Sequence, residues 1–135
     1  MRRNLTLTAI CGAALAAAAL SSCSGLSSQA KEIVGIYYNP ELSQTDPVME
    51  LRSDGKCTVR AIKPGVLTYS VDGEWNVEND SIIFDLDPAS VKAEGDEAFM
   101  GTIPSHYSRR VAGYNEFNLQ LEQDGVVYLY QRRAE

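Results

Sequence analysis

The chain has 135 residues, 12 of them basic and 18 acidic, for a net charge of −6 near neutral pH. That length makes one domain, large enough to bury a core without disulfides or metals. The acidic balance argues against nucleic acid as a partner and against an electrostatic grip on anionic lipid headgroups.

The N-terminus carries the sharpest change in composition. Arg2 and Arg3 precede an uncharged run from Leu5 to Leu20, rich in Ala and Leu. This run is shorter than the ~20 residues that span a hydrocarbon core. A positive start, a short apolar stretch and small residues after it describe an export signal. Leu20-Ser21-Ser22-Cys23 closes the stretch and resembles the bacterial lipobox. That resemblance implies a diacylglycerol on the Cys23 thiol, cleavage before it and acylation of the new amino group. Ordinary signal cleavage near Cys23 and an uncleaved anchor helix are the competing readings. Ser24 lacks the Asp that resembles an inner-membrane retention signal, so the expected location is the outer membrane. Each buried methylene contributes ~0.8 kcal/mol, so two or three acyl chains hold where one is marginal.

The expected organisation is a signal over 1–22, a flexible tether over 23–31, rich in Ser and Gly at its start, and a single domain over 32–135. Cleavage leaves 113 residues, Cys23 to Glu135, with 10 basic against 18 acidic side chains and a net charge of −8. Cys11 leaves with the signal and Cys23 is acylated. Cys57 is then the one free thiol, read as a small buried hydrophobe.

Period-two alternation organises the rest. Met49 and Leu51 alternate with Glu50 and Arg52, Asp54-Gly55 turns, and Cys57, Val59 and Ala61 alternate with Thr58 and Arg60, a hairpin signature. Lys63-Pro64-Gly65 makes the next turn. Leu67, Tyr69, Val71, Gly73, Trp75 and Val77 then share one parity. Asp72-Gly73 has turn chemistry, but a turn would not preserve that parity, so the reading is one long strand bent at the glycine. After a turn at Glu78-Asn79-Asp80, Ile82, Phe84 and Leu86 face inward. Asp87-Pro88 through Gly95 fits a two-turn helix with Pro at its first position, and a short strand around Val91 fits nearly as well. Ala98 to Ile103 and Tyr107 to Val111 read as strands. Phe117, Leu119 and Leu121 alternate with polar residues, Asp124-Gly125 turns, and Val126 to Gln131 returns.

Seven to nine strands joined by tight hairpins, with at most one short helix, predict an all-β domain, an antiparallel up-and-down barrel. Gly35, Tyr37, Tyr69, Gly73, Trp75, Asp80 and Asp124-Gly125 together resemble small lipocalin-like lipoproteins of Gram-negative bacteria. Lipocalins open on Gly-x-Trp, where this chain has Gly35-Ile36-Tyr37. The resemblance implies a small barrel with an apolar pocket, and a late basic residue, Arg132 or Arg133, across the opening aromatic.

Catalytic templates are missing. His106 is the only histidine and has no zinc-ligand spacing around it; no signature joins it to Cys57. Asp85 with Asp87, and Glu94 with Asp96 and Glu97, lack the spacing of a calcium loop. Arg109-Arg110 and Arg132-Arg133 read as surface charges. No catalytic residue, cofactor or metal is expected. Tyr69, Val71 and Trp75 are the candidate lining of a ligand pocket, though inward aromatics also fill cores. The expected function is noncatalytic: a monomeric membrane-anchored module binding a small apolar ligand or a partner protein. The alternative is a structural or inhibitory interaction module with a filled core.

Overall fold

The computed structural model describes residues 25–133; the signal reading over 1–22 and Cys23 lie outside the described residues. One short helix, α1 (Ser28–Glu32), precedes nine strands: β1 (Gly35–Tyr38), β2 (Met49–Leu51), β3 (Lys56–Lys63), β4 (Leu67–Glu78), β5 (Ser81–Leu86), β6 (Lys92–Gly95), β7 (His106–Tyr114), β8 (Asn118–Gln123) and β9 (Val126–Arg133). All pair antiparallel, and β9 returns to β1, so eight strands close a barrel with β6 added on β4. The all-β barrel read from the sequence is the fold, and its architecture is consistent with a lipocalin-like one.

β4 organises the wall. Its lower half, Gly73–Glu78, pairs with β5, and its upper half, Leu67–Ser70, pairs with β6, while β3 follows it on the other side. Gly73 sits inside the strand, opposite Cys57 and Leu86. A Cβ built there would lie 2.2 Å from the Asp85 carbonyl oxygen and 2.7 Å from the Leu86 Cα. The glycine therefore marks a close approach of two backbones. Asn79 and Asp80, at φ 51° and 60°, and Asp124-Gly125, at 53° and 80°, give the tight hairpins whose twist matches the strands.

The inward parity holds as read. Val71, Trp75, Val77, Ile82, Phe84 and Leu86 are buried, joined by Tyr37, Leu51 and Leu119 from across the barrel. The lower end is closed by residues read as tether. Ser27 caps α1 by accepting from the Ala30 amide, and Leu26, Ala30 and Ile33 are buried against the barrel base. Asn76 holds the entry: its Oδ1 accepts from the Ser27 amide at 2.9 Å and its Nδ2 donates to the Gly25 carbonyl at 2.8 Å. Apolar side chains three and four residues apart cover an open core end, so residues 25–31 are docked structure rather than a loose tether.

Three local expectations change. After Asp87, the helix lasts one 3-10 turn, Pro88–Ser90, with Asp87 as cap and Pro88 at its start. Ser90 Oγ then takes the Asp72 amide at 2.8 Å, and Lys92–Gly95 pairs with the free upper half of β4. A ladder outcompetes a second helical turn. Ala98–Ile103 forms no strand. Asp96 caps a 3-10 turn over Glu97–Phe99, and the chain then crosses the upper end as a loop. Phe117 precedes β8 and is 65% exposed, because Asn115 Oδ1 accepts from the Phe117 and Asn118 amides and fixes the turn.

Candidate functional site

The two barrel ends differ. At the base, Tyr37 is fully buried and donates from its hydroxyl to the Ile33 carbonyl at 2.7 Å. Burial pushes its pKa to about 12, against the opposing pull of Arg132. Arg132 pairs with Tyr37 across the closing seam and donates to the Glu32, Val34 and Asn115 carbonyls. It ties α1, β1 and the β7–β8 turn together. Arg133 instead lies over the Tyr38 ring at 3.9 Å. Of the two basic residues considered from the sequence, Arg132 is the one opposite the opening aromatic.

At the mouth, the interior is less filled. A cavity of about 110 Å³ is lined by Val59, Tyr69, Val71, Leu86, Ile103 and Tyr107. Its neighbour of about 150 Å³, reached past Val59 and Tyr107, is lined by Val48, Met49, Phe84, Arg109, Leu121 and Tyr130. Tyr107 stacks on Phe84 at 4.9 Å and lies under Arg109 at 4.7 Å. Burial pushes Tyr107 to about 12 and raises Tyr130 as well. Both are uncharged hydrogen-bonding groups at neutral pH. Each space is well below the ~300–1,000 Å³ of ordinary ligand pockets.

Of the candidate lining residues, Tyr69 and Val71 meet at the mouth and Trp75 does not join them. Trp75 is 4% exposed in the lower core, where its indole N–H donates to the Arg52 carbonyl at 3.0 Å. Cys57 is fully buried and its thiol is pushed up to about 12, first by burial, so it is no nucleophile. His106 sits on the outer face of the wall, its Nδ1 2.5 Å from Asp85 Oδ1. Cys57 pairs with Gly73 on the inward parity, while Asp85 and His106 pair on the outward one. Thiol and imidazole therefore point to opposite sides of the wall. Among the described residues no cluster of three His, Cys, Asp or Glu side chains is placed to hold a metal.

The feature that period-two reading missed is the edge of β9. β1 meets only Gln131 to Arg133 of this strand. It stops there because Pro40 offers no amide, and the Leu42 and Ser43 amides turn back to the Asn39 carbonyl. Above that point, among the described residues, β9 pairs only with β8. The Arg132 amide donates to the Phe117 carbonyl at 2.7 Å, so the even-numbered backbone groups face β8. Those of Val127 and Leu129, on the alternate parity, face the side where no strand is paired. Val126, Val127, Tyr128 and Leu129 are between 45% and 57% exposed. An apolar edge strand with free amides and carbonyls is a template for strand addition. Alternation alone could not reveal it, since it lies in a mismatch of strand lengths: four residues in β1 against eight in β9.

No protein-family model matches this chain, and neither the curated proteins nor the solved structures contain a significant match.

Proposed function

We propose that the protein is a noncatalytic envelope lipoprotein that binds a partner protein, taking an extended segment of it onto the upper edge of β9. The carrying observation is the apolar run Val126–Leu129 with the Val127 and Leu129 backbone groups unpaired among the described residues. The small mouth cavities support a protein partner over a ligand enclosed within the barrel. The Leu20-Ser21-Ser22-Cys23 stretch supports lipid attachment at Cys23 and residence on the outer membrane.

A photo-cross-linking residue at position 129 of the full-length protein, expressed in its host, tests this reading. Position 129 should yield a discrete protein adduct, while position 94, exposed on β6, should not. Absence of an adduct at 129, together with a small apolar molecule co-purifying in native mass spectrometry, would return the function to the barrel interior.

A further inference from the structure

We propose that the α1 end of the barrel rests on the bilayer, with Phe117 entering the lipid headgroup region and the mouth facing away. The inference rests on lipid attachment at Cys23 and adds the surface that meets the membrane. Ser24 alone separates Cys23 from Gly25, and two residue steps reach at most ~7 Å. Gly25 is itself held by the Asn76 side chain, near the lower end of β4. The acyl chains therefore start close to the barrel wall, and a domain so tethered has little freedom to stand off.

From Asn76, α1 crosses the base. Its cap residue Ser27 is bound to Asn76, and at its far end Glu32 accepts from the Tyr114 hydroxyl at 2.5 Å. Phe117 lies at this same end, in the turn after β7: Arg132 donates both to the Glu32 carbonyl and to the carbonyl of Asn115, two residues before Phe117. It is the most exposed large apolar side chain among the described residues, yet its backbone is fixed by Asn115 and by the Arg132 amide. A held, exposed aromatic on the end nearest an acyl anchor fits the apolar–polar boundary of a bilayer. Glu32, Asp54, Glu78, Asp80 and Glu116 lie around this end, against Lys31, Arg52, Lys56, Arg132 and Arg133. Charges so balanced give no electrostatic grip on anionic headgroups, so the acyl chains and Phe117 carry the attachment on a mainly zwitterionic surface.

The orientation has a consequence for β9. Two copies pairing edge to edge about a two-fold axis would run antiparallel, turning one barrel over. Copies anchored in one bilayer cannot do so, which disfavours a symmetric pairing of two copies at Val127 and Leu129 and favours a strand from a different chain.

The test uses the full-length acylated protein in vesicles of phosphatidylethanolamine with a little phosphatidylglycerol. Phe117→Cys and, separately, Leu129→Cys are labelled with an environment-sensitive dye; buried Cys57 stays unlabelled in the native state. Nitroxides on the lipid chains should quench the dye at 117, with a blue shift, and leave the dye at 129 unchanged. Vesicle-bound protein with 117 unquenched, or with 129 quenched as strongly, overturns the orientation while lipid attachment stands. Purified protein without lipid on Cys23 and unbound to vesicles removes the attachment, and the orientation with it.

Discussion

Gly73→Ala should be severely damaging to the barrel, at or above the upper end of the ~1–3 kcal/mol typical of overpacking. The new methyl would meet the Asp85 carbonyl oxygen and the Leu86 Cα at 2.2 and 2.7 Å. Both are backbone atoms, so no rotamer change relieves the clash. Relief requires the end of β5 to lift off β4, breaking the Gly73–Leu86 pairing and disturbing the Leu86 amide, which donates to the Ser105 carbonyl. Urea denaturation of the variant beside the parent measures the cost. A loss below about 1 kcal/mol would mean that β4 and β5 are not in close contact at Gly73.

Trp75→Ala should cost roughly 3–5 kcal/mol, the range for removing a packed aromatic. The indole fills the lower core, and its loss also removes the hydrogen bond it donates to the Arg52 carbonyl at 3.0 Å, which would keep only the Gly55 amide at 3.1 Å. A tryptophan lining an open cavity would have fewer neighbours to lose. The parent protein should emit in the blue, and added fatty acids should leave that emission unchanged. A saturable change with such a probe, or a loss near 1 kcal/mol, would place Trp75 beside a ligand space instead.

Much of the fold was legible because one face of each strand had to be apolar. The parity from Leu67 to Val77 predicted both the long β4 and the burial of Trp75, and it overruled the turn chemistry of Asp72-Gly73. Where apolar periodicity fails, sequence reasoning failed with it. Asp87 and Pro88 correctly marked a helical start, but its end depended on Ser90 reaching Asp72, a contact between residues 18 apart. Ser27, Leu26 and Ala30 read as a tether because their amphipathic spacing is too short to register; their burial depends on a barrel end that only the closed sheet creates. Tyr69, Val71 and Trp75 were legible as one inward-facing set, whereas the separation of Trp75 from the other two follows from depth along the barrel, which parity does not encode. The open edge of β9 follows from Pro40 ending β1 early, and pairing partners cannot be read from one strand at a time.

Amide hydrogen exchange along β9 reads directly whether its upper edge is open to an added strand. In dilute, unpartnered protein, Val127 and Leu129 should exchange rapidly while Tyr128 and Tyr130, whose backbone groups face β8, exchange slowly. On partner binding, the first two amides should become protected with little change in the others. Slow exchange at Val127 and Leu129 in the free monomer would show that the chain already covers this edge, and would contradict strand addition as the mode of binding.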